Sequence, residues 1–155
     1  KWCEQHLQSI KKNYNNNNDY FMKKLTINYK NMSKINNLST INKSFIDLIL
    51  KFLEIETKVY SSSLIEYKQT SNKNERIINI LKELKISTYV TTKTAQSYLD
   101  YESFAKNNIK IEIFDYEGYK EYTQNSDTFI NNVSIIDLIF NKKNECKKYM
   151  KTFNE

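Results

Sequence analysis

Ser87-Thr88-Tyr89-Val90-Thr91 and Ile109-Lys110-Ile111-Glu112-Ile113 decide the fold. Both runs are rich in the β-branched and aromatic residues that fit a pleated surface, and the second alternates apolar with charged side chains, the period-2 mark of a half-exposed strand. Between them, Tyr98 to Lys106 reads as a helix. Before them, Asn72 with Glu75 makes a capping-box pattern, followed by a helical face of Ile77, Ile78, Leu81 and Leu84 over about residues 72–84. Thr57 to Ser61 reads as a further short strand. Strand, helix, strand, helix, strand with short links is the pattern of parallel βαβ units. The expectation is a three-layer α/β arrangement with a short, mostly parallel sheet from residues near 57–61, 87–91 and 109–114. The helix at 72–84 would cross over between the first two strands.

Upstream the periodicity is helical. Trp2, His6 and Ile10 recur at helical spacing with Leu7 and Tyr14 beside them, so residues 2–14 form an amphipathic helix. Asn15 to Asn18 make a polar break. A helix over about 19–32 buries Phe21, Leu25, Tyr29 and Met32; residues 33–42 are turn-like; a third helix over about 43–53 carries Phe45, Ile46, Leu48, Ile49, Phe52 and Leu53. This is an N-terminal helical section. At the other end, residues 114–132 are polar and irregular. Ser134, with Asp137 three residues on and the apolar run Ile135 to Phe140, starts a last helix in which Ser134 caps and Asp137 reaches back. Cys146, Tyr149, Met150 and Phe153 keep helical spacing beyond it, continuous or broken once near Asn141.

A chain of 155 residues is long enough to bury a sizeable core, and a single domain over 1–155 is expected. The formal net charge is +6. The basic residues are spread among acidic ones, and the heavy use of Asn, Lys, Ile and Tyr beside one Gly and no Pro matches an AT-rich genome. The charge therefore does not argue for a nucleic-acid partner. Cys3 and Cys146 form no metal-spaced pair and read as free thiols of a reducing cytoplasm; no metal site is expected. No apolar run approaches the ~20 residues of a membrane span, and a signal-peptide pattern is absent.

Several blocks, in order, resemble the WbqC-like family: Trp2 with His6-Leu7, Ile10 and Tyr14; Tyr20-Phe21; Glu75-Arg76-Ile77; Thr88-Tyr89-Val90; Tyr98-Leu99-Asp100; then Tyr122, Gln124, Phe129, Ser134, Asp137, Phe140 and Asn141. The family opens with a Gln-Pro-x-Tyr-x-Pro-Trp segment, which a chain without proline lacks, so the sequence looks like the C-terminal two thirds of a member. Where the family has a glycine-rich loop, this chain reads Thr91-Thr-Lys-Thr-Ala-Gln96. The resemblance implies a cytoplasmic sugar-modifying transferase of O-antigen or surface-polysaccharide biosynthesis acting on a nucleotide-linked sugar. The alternative is a non-catalytic binding or scaffold remnant.

Candidate site residues follow from chemistry and from those motifs. His6, the one histidine, suits proton transfer near neutral pH, though it could equally be a packed histidine. Asp100 follows a strand, where open α/β sheets gather ligands, and it could also cap a helix. These two are the catalytic candidates. Glu75 and Arg76 lie at a helix start suited to anions, and Glu75 has a plain capping role beside it. Trp2, Tyr98, Tyr122 and Gln124 complete the substrate-binding set by resemblance. The expectation is that His6, Arg76, Asp100 and Gln124 share one cleft.

Overall fold

In the computed structural model, residues 2–14 and 17–151 are described. The chain forms two compact units: a helical unit from the chain through Thr57 and again from Gly118, and an α/β unit, Lys58–Glu117.

The helical unit contains α1 (Trp2–Asn13), α2 (Asp19–Met32), α3 (Leu38–Phe52) and α6 (Ile135–Lys142), the last followed by a 3₁₀ segment, Lys143–Tyr149. The α1 face turned to the core is Cys3, Leu7, Ile10 and Tyr14, so Trp2 and His6 sit on its exposed flank. Asn18, at the end of the Asn15–Asn18 break, caps α2 by accepting the Phe21 N–H at 3.1 Å; Asn15 and Asn16 lie outside the described residues. α3 begins earlier than expected, at Leu38, because Asn37 accepts the Thr40 N–H at 2.9 Å and converts that polar stretch into a helix start. Phe21, Ile139 and Phe140 are wholly buried and, with Leu25, Tyr29, Leu53, Leu138, Cys3 and Cys146, form the core. Phe140 stacks on Tyr14 at 4.8 Å and meets Phe21 edge-on at 5.4 Å. The last helix breaks at Lys143, where φ is +51°; Phe153 lies outside the described residues.

The α/β unit contains α4 (Lys73–Glu83), β1 (Thr88–Thr92), a 3₁₀ segment Lys93–Tyr98, α5 (Tyr101–Lys106) and β2 (Lys110–Phe114). β1 and β2 pair in parallel, Thr88 opposite Lys110 through Thr92 opposite Phe114. The α/β class, the short parallel sheet and the N-terminal helical section agree with the sequence reading. The strand at 57–61 does not form. Residues 57–60 are exposed and followed by a 3₁₀ turn at Ser62–Leu64, so Val59 and Tyr60 have no apolar face to bury against and β propensity alone does not hold them in a sheet. The crossover helix is accordingly α5, between β1 and β2, while α4 precedes the sheet. Two strands alone are marginal. Here Phe104 of α5, wholly buried, stacks on Tyr89 of β1 at 5.5 Å, and Ile78, Leu81 and Ile109 close the core around it.

With a single glycine in the chain, helix ends use other residues. α3, α4 and α5 are followed by Glu54, Lys85 and Asn108 at φ +52°, +56° and +57°. In each, the next N–H bonds back to the last helical turn: Ile55 to Leu50 O, Ile86 to Leu81 O and Ile109 to Phe104 O.

Candidate functional site

The α/β unit holds a groove of about 520 Å³ between α4 and α5. Helix geometry explains its form. Asn72, Glu75, Asn79 and Lys82 recur at i, i+3, i+7 and i+10 and share one face of α4, while Ile78 gives the floor. Asp100, Ser103 and Asn107 do the same along α5. The two helices run side by side in the same direction, because they are tied at both ends. At the N-terminal end, Asn74 donates to the Tyr98 carbonyl at 3.0 Å and accepts the Asp100 N–H at 3.2 Å. At the C-terminal end, Lys82 Nζ donates to Asn107 Oδ1 at 3.2 Å. Asn79 Nδ2 donates to the Lys68 carbonyl at 2.8 Å, which brings Lys68 to the groove wall.

Both helix starts are capped from within this groove. Asn72 accepts the Glu75 N–H at 3.1 Å, and Glu75 reaches back to Thr70 Oγ1 at 2.7 Å instead of the Asn72 N–H, which Thr70 Oγ1 itself accepts at 3.2 Å. Asp100 accepts the Ser103 N–H at 3.1 Å and the Ser103 hydroxyl at 2.5 Å. The Ser103 hydroxyl, then the Ser103 N–H, hold the Asp100 carboxyl below its usual range. The lining offers amide donors and acceptors, a hydroxyl, two carboxylates and two ammonium groups, a set able to hydrogen-bond a polar small molecule from several sides.

Of the sequence-predicted residues, the groove brings together Glu75 and Asp100, with the Tyr98 carbonyl at its edge and the Tyr98 ring 66% exposed. Arg76, also exposed, is one residue round α4 and does not line it. In the helical unit, His6 is exposed; its ring meets Trp2 at 5.4 Å and Tyr29 at 6.3 Å, both edge-on. Tyr122 and Gln124 have different partners from His6. Tyr122 Oη donates to Asp137 Oδ2 at 2.8 Å and Gln124 Nε2 to the same oxygen at 3.0 Å. Gln124 also exchanges two bonds with the Ile130 backbone, at 2.9 and 2.8 Å.

Asp137 is the hub of that second cluster, a role the sequence did not reveal. Its other oxygen accepts from Tyr14 Oη at 2.6 Å. The reach back toward Ser134 expected of a capping box does not occur: the carboxylate is occupied by these three donors, and Ser134 caps weakly through Ile136 N at 3.5 Å. Asp137 is 7% exposed and, among the described residues, makes no ion pair with a cation. The N-terminal turn of α6 supplies favourable dipole instead. Burial, then the bond to Asp137, pushes the Tyr122 hydroxyl up to about 12 and raises Tyr14 as well. Nearby Cys146, a free thiol bonded to the Lys143 carbonyl at 2.7 Å, is pushed up to about 11 by burial, which makes it a poor nucleophile.

The sequence reading also missed Asn74, Asn79, Lys82 and Asn107. The signal was present: Glu75, Asn79 and Lys82 form the polar stripe opposite the isoleucine face of α4. Among the described residues, no cluster of three or more His, Cys, Asp or Glu side chains could hold a metal ion, and no helix is long and apolar enough to cross a membrane.

Fold and groove together define a small α/β protein with a polar, amide-lined cleft between two helices. The chain belongs to the WbqC-like protein family, whose match runs over residues 1–149. The match thus covers essentially the whole chain. It is 34% identical over 115 residues to the uncharacterized protein Rv1507c of Mycobacterium tuberculosis, an alignment covering 74% of this chain and 49% of that protein. The chain therefore spans about half the length of this curated relative. No solved structure matches.

Proposed function

We propose that the chain binds a nucleotide-linked sugar in the α4/α5 groove, as part of a cytoplasmic sugar-modifying transferase of O-antigen or surface-polysaccharide biosynthesis. The observation that carries the binding half is the groove lining: the amides of Asn72, Asn74, Asn79 and Asn107 with the Ser103 hydroxyl, over an Ile78 floor. Sugars are recognised by such paired donors and acceptors, and a phosphate by the two lysines that line the same groove. The transferase half rests on the family resemblance. In it, Asp100 and His6 are the groups suited to proton transfer, and Trp2, Glu75, Arg76, Tyr98, Tyr122 and Gln124 are binding residues.

The alternative, a non-catalytic binding or scaffold domain, is favoured by one feature of the groove: Asn72, Glu75 and Asp100 are each already engaged at a helix start. Calorimetric titration of the full chain with UDP-glucose, against UDP and glucose separately, tests the binding half. Saturable binding that Asn79→Leu weakens at least tenfold is expected. Heatless titration of all three up to millimolar ligand refutes it. Binding without turnover would leave the binding-domain alternative, and turnover that survives His6→Ala and Asp100→Asn unchanged would refute those two residues as the proton-transfer groups.

A further inference from the structure

The groove's two carboxylates lie at one end and Lys82 at the other. Of its two carboxylates, Glu75 is in the first turn of α4 and Asp100 caps α5, and Asn74 ties those two helix starts together. Of the two lysines, Lys82 is in the last turn of α4, where its ammonium meets Asn107, and Lys68, whose backbone carbonyl accepts from Asn79, lines the wall midway along. Glu75 and Lys82 are two turns apart on one face, about 10 Å along the axis. The lining is thus neutral in total, two lysines against two acids, inside a chain of net charge +6. Such a surface fits a dipolar ligand better than a simple anion.

Capping does not require the negative charge at Asp100. In this Asn-rich chain α2, α3 and α4 are capped by the amides of Asn18, Asn37 and Asn72, and α6 by Ser134; Asp100 is the one charged cap among α2 to α6. Asn caps as well as Asp. Nor does the dipole account for it, because α5 is only six residues long. Both carboxylates keep acceptor capacity toward the groove. Glu75 uses only Oε2, on Thr70, and each Asp100 oxygen accepts one bond from Ser103 and can accept another. Lys82 spends one of its three donors on Asn107.

Resting on the sugar-nucleotide reading above, we propose that the ligand is a nucleotide-linked amino sugar: its protonated amine lies at the Glu75/Asp100 end and its pyrophosphate at the Lys82 end. Asn79 and Ser103, midway along the two walls, then face the ring hydroxyls.

The test compares three probes by calorimetry on the full chain, below neutral pH where the sugar amine is protonated: UDP-glucosamine, UDP-N-acetylglucosamine and UDP-glucose. UDP-glucosamine is expected to bind at least about tenfold tighter than either neutral-sugar analogue. Asp100→Asn, which keeps the cap, should bring that preference to within about twofold, and Glu75→Gln should reduce it too. Lys82→Met should weaken all three probes alike. Equal affinities in the unmodified chain overturn the amino-sugar proposal and leave the sugar-nucleotide reading standing. Failure of all three to bind sinks both. A preference that persists undiminished in both Asp100→Asn and Glu75→Gln refutes the placement of the amine.

Discussion

Asp137→Ala is the substitution that most directly tests how the helical unit is held together. It removes an acceptor that serves Tyr14 Oη at 2.6 Å, Tyr122 Oη at 2.8 Å and Gln124 Nε2 at 3.0 Å, tying α1, the irregular 114–132 segment and α6 at one point. Each orphaned donor costs about 1–3 kcal/mol when fully buried. Tyr14 and Tyr122 are only half-buried, so water reaches part of each, and Gln124 keeps its bonds to Ile130. Removing a buried carboxylate that has no cation partner among the described residues returns some free energy as well. The net expectation is roughly 2–4 kcal/mol of lost stability, with Asp137→Asn losing about half as much because one acceptor oxygen stays. Urea unfolding followed by fluorescence reads this unit selectively, since the chain's one tryptophan, Trp2, is on α1. A double-mutant cycle isolates the bond: Tyr122→Phe should cost about 1 kcal/mol alone and under about 0.5 kcal/mol in the Asp137→Ala background. An unfolding midpoint for Asp137→Ala within error of the unmodified chain, or strict additivity in the cycle, would refute the reasoning.

The same tyrosines set an alkaline limit. Their folded pKa values lie above the ordinary 10.0, so the helical unit's stability is full below pH 10 and should fall as pH rises toward 12; equilibrium unfolding across that range checks it, and a flat profile contradicts it. Asp100→Ala removes the α5 cap and should destabilise the α/β unit by about 1 kcal/mol, whereas Asp100→Asn should be near neutral, read as the difference in denaturant midpoint. Lys85→Gly should stabilise the same unit by roughly 0.5–1 kcal/mol, because φ +56° strains a residue with a Cβ; a lower midpoint in this variant would count against that strain.

How far the sequence reached is clearest element by element. Local pattern determined α1, α2, α4, β1 and β2 closely, since an amphipathic helix or an alternating strand writes its periodicity into the chain whatever it packs against. Asn72 and Asp100 were legible as caps for the same reason: the orphan N–H groups they satisfy lie within three residues. The Thr57–Ser61 strand failed because a strand needs a neighbour, and partner edges are not a local property. Asp137 was legible only in part on similar grounds. From sequence it is a helix-start acid; only the fold brings Tyr14, 123 residues away, to its carboxylate. The groove likewise combines a stripe on α4 that was visible in the sequence with a matching stripe on α5. That the two border one groove follows from the packing of Ile78 and Leu81 against Phe104, which turns both polar stripes to the same side. The sequence alone determined which residues could carry the chemistry; tertiary packing decided which of them meet, because long-range contact depends on apolar faces burying one another and not on spacing along the chain.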